Sequence, residues 1–135
     1  MGTRSLTFVY TDHYDGGGCE PIINMYRQFD GYPSGHGAEL ATFLSSFEAV
    51  VSGISLDEKR KVANGMGCLA AQLVGHFKIG AGGFYLYPVS SIDCGQEYEY
   101  HIYSDRITVF EYGGEHLFTG PWSAFTEFCT KKETA

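Results

Sequence analysis

The sequence predicts an α+β fold: a single mostly antiparallel β-sheet with helices packed on one face, in the order ββαααββββα, formed by one domain over residues 1–135. Three observations predict it. Strand-like alternation of apolar and polar residues occupies both ends of the chain, helix-period apolar spacing occupies the middle, and the breaks between them are short turns rather than linkers. No internal repeat or low-complexity tract divides the chain.

In residues 5–11, Leu6, Phe8 and Tyr10 alternate with Ser5, Thr7, Val9 and Thr11, the pattern of a half-buried strand. Asp15-Gly16-Gly17-Gly18 is expected to close a hairpin onto residues 22–29, whose two apolar faces suit a central strand with Arg27 near its end. Leu40, Phe43, Leu44, Phe47, Val50 and Val51 make one stripe of a helix over 39–52, ended by Gly53. Ser55-Leu56-Asp57-Glu58 has the form of a capping box and predicts a short charged helix through Lys61, stopped by Asn64-Gly65. Residues 66–77 are apolar almost all round and contain Gly67, Ala70, Ala71 and Gly75, which suits a buried core helix. Residues 84–87, 97–104, 106–112 and 115–119 read as strands, with a hairpin turn at Ser104-Asp105. Pro121, Trp122, Phe125, Phe128 and Cys129 then mark a closing helix.

The composition excludes several functions. Sixteen acidic against nine basic side chains give a net charge of −7, which argues against bulk nucleic-acid binding, since phosphate neutralisation needs a basic face. No apolar run reaches the ~18 residues of a membrane span, so a cytoplasmic protein without a membrane partner is expected. Cys19, Cys68, Cys94 and Cys129 are scattered, and the five histidines share no ligand spacing, so no metal or cofactor is expected and the cysteines are expected to be reduced. Searches for paired catalytic carboxylates, a nucleophile elbow, a phosphate-binding P-loop or a zinc-protease helix find none, and no catalytic residue is assigned. Gly65-Met66-Gly67-Cys68-Leu69-Ala70 mimics a dinucleotide fingerprint and is set aside because residues 57–63 read as helical.

Polar chemistry is densest in Tyr26-Arg27-Gln28-Phe29-Asp30-Gly31-Tyr32-Pro33-Ser34-Gly35-His36-Gly37. Gly31 is available for positive φ, and Pro33 biases Tyr32 toward extended backbone. Gly35 and Gly37 would allow close approach to backbone N–H groups where a helix begins. Two readings stay open. In one, Asp30 pairs with Arg27, Ser34 caps the helix and the segment is a braced turn. In the other, Arg27, Asp30, Tyr32 and His36, joined by the i,i+4 pair Gln72 and His76, line a ligand pocket.

That dodecamer, the opening Met-Gly-Thr-Arg-Ser-Leu-Thr, Ala63-Asn64-Gly65-Met66-Gly67-Cys68-Leu69-Ala70-Ala71-Gln72-Leu73 and Gly95-Gln96-Glu97-Tyr98-Glu99-Tyr100 resemble a family of small proteins of bacteria, archaea and their phages that has no assigned activity. The resemblance implies a compact cytosolic protein of phage or mobile-element origin and carries over no catalytic residues. The first functional expectation is a small-molecule binder. Tyrosines would stack on a ring while Arg27 and His36 hold a phosphate or carboxylate, as in sequestration of a nucleotide-derived immune signal. A second is a protein–protein inhibitor or homo-oligomer using a tyrosine-rich sheet face that includes Tyr103, Phe110 and Tyr112. A third is a phosphoester-cleaving enzyme with His36 as acid or base and Asp30 as its orienter.

Overall fold

The structure, a computed structural model, describes residues 2–11 and 19–134, with side chains through Thr130. The expected Asp15-Gly16-Gly17-Gly18 turn lies outside the described residues. The elements are β1 (Ser5–Tyr10), β2 (Pro21–Arg27), a π-helical turn (Pro33–Gly37) running into α1 (Ala38–Ser45), β3 (Ala49–Val51), β4 (Val62–Asn64), α2 (Gly65–Phe77), β5 (Phe84–Tyr87), β6 (Tyr98–Ile102), β7 (Ile107–Glu111), β8 (Glu115–Gly120) and α3 (Trp122–Thr134).

Six strands form one mixed sheet in the order β5-β2-β1-β6-β7-β8, and β3 pairs β4 in a separate two-stranded sheet. Every pairing in the large sheet is antiparallel except the central one, β1 with β6. The class is the α+β fold that the sequence predicts.

Strand alternation divides the sheet into two faces. Val9, Met25, Tyr100, Ile102, Ile107 and Val109 share one core with α1 (Leu40, Phe43, Leu44), α2 (Met66, Leu69, Leu73, Phe77) and α3 (Phe125, Cys129), so the helices lie on one side. On the opposite face Leu6, Phe8 and Tyr26 form a smaller cluster with Tyr10 and Cys94, below the loop that joins β5 to β6. β1 is therefore buried on both faces rather than half-buried.

Two predicted helices are corrected. The 39–52 stripe stops at Ser45 because serine hydroxyls compete for the last carbonyls. Ser45 Oγ bonds Thr42 O, Ser46 Oγ bonds Phe43 O, and the chain tightens to i→i+3 bonds at Ser46 and Phe47. The β-branched residues beyond then join β3, where Val50 pairs Ala63. The 55–61 helix does not form. The Glu58 carboxylate bonds Arg60 instead of reaching back to the cap, Ser55 Oγ bonds Asp57, and Leu56 has nothing to pack against and is wholly exposed. Glu48 instead clamps Lys61 through both its backbone N–H and its carboxylate and draws the chain into β4. Asn64-Gly65 thus opens α2 rather than stopping a helix. A strand does precede the Gly65-Met66-Gly67 segment, but it belongs to the two-stranded sheet, and a Cβ at Gly67 would meet nothing within 4 Å. The close packing that a dinucleotide fingerprint demands of its glycines is absent there.

Candidate functional site

β2 ends at Arg27 on the helix-facing side of the sheet, where the π-helical turn crosses above it and lowers His36 into the core. Arg27 NH1 donates to His36 Nδ1 at 3.2 Å, and the other imidazole nitrogen, Nε2, lies 2.7 Å from Thr7 Oγ1. A guanidinium has no acceptor, so Nδ1 must be the unprotonated nitrogen, and Nε2–H donates to Thr7. The ring is fully buried and packs at 5.0 Å on Tyr100 and 5.3 Å on Phe77. Burial, with a further contribution from the Arg27 charge, lowers the His36 pKa from 6.5 to about 3 and keeps it neutral at physiological pH.

Arg27 is held on several sides. Its NH2 donates to Glu39 Oε2 at 3.1 Å, and its guanidinium lies 5.1 and 4.9 Å from the ring centroids of Phe29 and Phe84. Its ion-pair partner is therefore Glu39, one helical turn beyond His36, and not Asp30. The two ends of that pair differ in environment: the Arg27 side chain is 5% exposed and the Glu39 side chain 52%. Arg27 Nε is buried without a hydrogen-bond partner, as is Oγ of Ser5, its register partner in β1.

The remaining predicted site residues lie apart from this pair. The Asp30 carbonyl accepts the His36 N–H at 2.7 Å, while its carboxylate accepts the Tyr32 hydroxyl at 3.3 Å on the surface. Asp30, not Gly31, takes positive φ, at 56°. Gly31 is needed for closeness instead: a Cβ there would sit 2.8 Å from Ser5 Cβ and 2.9 Å from the Arg4 carbonyl carbon. The N–H groups of Gly35 and Gly37 are used by the turn itself, both bonding to Tyr32 O, and no side chain caps either helical segment, Ser34 included. Gln72 and His76 share a face of α2 as expected, but that face points elsewhere. Gln72 Nε2 bonds Val62 O at 3.3 Å, and His76 is an exposed ring against Phe43 and Phe77. Phe77 stands between His36 and His76. Of the six predicted residues, only Arg27 and His36 have side chains in direct contact within this cluster.

The residues that complete it are Thr7, Glu39, Phe29, Phe84 and Tyr100, whose hydroxyl donates to Gly31 O at 2.8 Å. Thr7 was hidden by the half-buried reading of β1, which set it on the polar side although that side is also buried, whereas Glu39 was accessible as the i+3 neighbour of His36 once a helical turn begins at Pro33.

A second polar group lies on the opposite face of the sheet. His101 Nε2–H donates to Glu99 Oε1 at 3.0 Å and Nδ1 accepts the Tyr10 hydroxyl at 2.6 Å, while Gln96 donates to the other Glu99 oxygen. The hydrogen bond from His101, then that from Gln96, holds the Glu99 carboxyl below its usual range, and burial holds the Tyr10 phenol above its own. The aromatic rings here are spent on one another: Tyr10 stacks on Tyr103 at 4.4 Å and Phe8 on His101 at 4.9 Å. A recess of about 330 Å³ beside this group is lined by Asp93, Glu97, Glu99 and Glu111 and is hostile to an anion.

Among the described residues no group of three or more His, Cys, Asp or Glu side chains is placed to hold a metal ion, and no helix is long and apolar enough to cross a membrane. No protein-family model, curated protein or solved structure matches the chain.

Proposed function

We propose that the protein binds, rather than transforms, a small anionic ligand with a ring, of nucleotide-like chemistry, and that Arg27 is its counter-ion. The observation that carries this reading is the unequal Arg27–Glu39 pair: a buried guanidinium neutralised by a carboxylate that stands half in solvent. Such a carboxylate is exchangeable. A ligand phosphate or carboxylate taking its place would meet a desolvated cation, where a charge-assisted bidentate contact is strong. Phe29, 42% exposed and 5.1 Å from the Arg27 guanidinium, offers a ring beside the cation.

Binding is favoured over catalysis by the state of His36. Both of its nitrogens are engaged, its ring is sealed from solvent, and its pKa is far from the neutral range that general acid–base work requires. Asp30 gives it a backbone carbonyl rather than an orienting carboxylate. A stoichiometric sponge for a nucleotide-derived signal needs no more than this.

Thermal shift and calorimetry against ribonucleoside mono-, di- and cyclic phosphates, with inorganic phosphate as a control, test the reading. A true ligand at 100 times its Kd stabilises by about 2.7 kcal/mol. Arg27→Met should abolish the shift, and Glu39→Gln, which removes the competing carboxylate, should tighten binding. The reading fails if no phosphate-bearing compound shifts the protein, or if a shift ignores both substitutions. A ligand recovered chemically altered would indicate an enzyme.

A further inference from the structure

We propose that the free edge of β5 is a homodimer contact in which β5 pairs antiparallel with β5 of a second copy, about a twofold axis at Leu86. Five of the large hydrophobic side chains exposed on this protein, Ile79, Tyr85, Leu86, Tyr87 and Val89, fall between residues 79 and 89. Two of them, Tyr85 and Leu86, line a mostly apolar groove of about 210 Å³ together with Met25, Val74, Lys78 and Phe84. The opposite sheet edge, β8, carries Glu115 and His116 and faces a bulge in its pairing with β7, whereas Phe84-Tyr85-Leu86-Tyr87 has neither charge nor bulge.

The backbone selects the partner. Gln28 N–H bonds Gly83 O, so in the β2–β5 ladder Tyr85 and Tyr87 turn their backbone groups inward to β2, and Phe84 and Leu86 turn theirs outward. The outward groups of Phe84 are already occupied, its N–H by Gly82 O and its C=O by Lys78 Nζ at 2.7 Å, and Pro88 beyond has no N–H to give. Among the described residues this leaves one open donor and acceptor on the edge, at Leu86. A foreign strand would find a single residue to pair with. A second copy turned about a twofold axis presents the same isolated pair in the complementary orientation, so Leu86 exchanges two hydrogen bonds with its counterpart. Tyr85 then lies opposite Tyr87 of the partner on the face away from the helices.

The area is of the order a small specific interface needs. Taking ~200 Å² for a complete large side chain, full cover of the exposed fractions of those five residues would remove at most on the order of 500 Å² per copy, so two copies approach the ~1,000 Å² lower limit of a specific interface. The sequence suggested a different surface, Tyr103, Phe110 and Tyr112. Tyr103 is stacked on Tyr10 and covered by the Arg106 guanidinium at 4.0 Å, and Phe110 packs edge-on against His101 and His116. Only Tyr112 of the three stands exposed.

Sedimentation equilibrium of the full chain from 1 to 100 μM tests the contact. Wild type should be dimeric at tens of micromolar, and Leu86→Arg should weaken the dimer at least tenfold with an unchanged far-ultraviolet circular dichroism spectrum. Tyr112→Arg should leave it intact. Leu86→Cys should give a disulfide-linked dimer on mild oxidation, because residues of a hydrogen-bonded antiparallel pair lie ~5.5 Å apart at Cα, within disulfide range. A wild-type monomer at 100 μM, or a dimer lost with Tyr112→Arg but indifferent to Leu86→Arg, overturns the proposal.

Discussion

The hydrogen bond from Arg27 NH1 to His36 Nδ1 fixes which nitrogen of a sealed imidazole carries the proton. Because the donor side of that bond cannot be reversed, the Nε2–H tautomer is the one compatible with this core, and Thr7 is its acceptor. The prediction is direct. In nitrogen-15 NMR, His36 should show one pyridine-like and one pyrrole-like nitrogen from pH 8 down to pH 5, with Nδ1 as the pyridine-like atom. A ring that titrates near pH 6 to 7, or the opposite tautomer, contradicts the arrangement.

Acid stability follows from the same group. Its folded pKa, about 3, lies below the unfolded value of 6.5, so the unfolded chain takes up a proton first as the pH falls. The stability linked to His36 is complete above pH 6.5 and is lost at about 1.4 kcal/mol per pH unit between 6.5 and about 3. Urea titrations at pH 7.5, 5.5 and 4.5 should therefore show a steep decline in wild type. In His36→Gln the decline should be shallower from a lower starting point. Parallel slopes in the two proteins would mean that His36 is accessible to protons.

Arg27 and Glu39 should not be equivalent in stability. Arg27→Met leaves His36 Nδ1 as a buried acceptor without a donor, at a cost of about 2–3 kcal/mol. Glu39 is half exposed, and Glu39→Gln keeps a hydrogen-bonding oxygen, so its effect should be about 1 kcal/mol or less. A double-mutant cycle should show stronger coupling of Arg27 to His36 than to Glu39, and none to Asp30. Appreciable coupling to Asp30 would restore the braced-turn reading.

The turn itself offers a contrast between adjacent positions. Asp30 has φ 56°, a conformation that burdens any residue with a Cβ, so Asp30→Gly should exceed Asp30→Ala in stability by about 1 kcal/mol. At Gly31, where an added Cβ would press on Ser5 and on the Arg4 backbone, Gly31→Ala should lose roughly 1–3 kcal/mol by overpacking. Chemical denaturation of the three variants checks both. Equal effects of Ala at the two positions would deny the distinction between strain and crowding.

Strand alternation made most of the sheet legible: 84–87 and the Ser104-Asp105 hairpin follow from pattern alone, whereas which face of β6 the helices cover, the one with Tyr100 and Ile102, comes from the packing. The helix 39–52 misled because Phe47, Val50 and Val51 keep helical spacing after the serine pair has ended the helix, and spacing carries no information about which carbonyls hydroxyls will take. At the site, the dodecamer singled out Arg27 and His36, whose side chains do meet. Apart from Phe29 and Glu39, their neighbours Thr7, Phe84 and Tyr100 came from β1, β5 and β6, and pairings such as Ser5 with Arg27 and with Tyr98 arise only from topology. Gln72 and His76 were grouped with them by polarity, but a shared helix face says nothing about which neighbour it meets.

The central parallel pair carries a consequence for how the chain is made. β1 sits in the middle of the sheet, yet one of its two neighbours, β6, begins only at Tyr98, so the β1–β2 unit leaves the ribosome with an open edge that stays unsatisfied through most of synthesis. Closing that edge requires a contact between distant parts of the chain, which slows folding and lengthens the time for which a partly formed sheet can meet another. Translation pauses before β6, or loss of the residues from Tyr98 onward, would leave the apolar strand Leu6-Thr7-Phe8-Val9 available to other nascent chains, and cells would experience such truncations as aggregation.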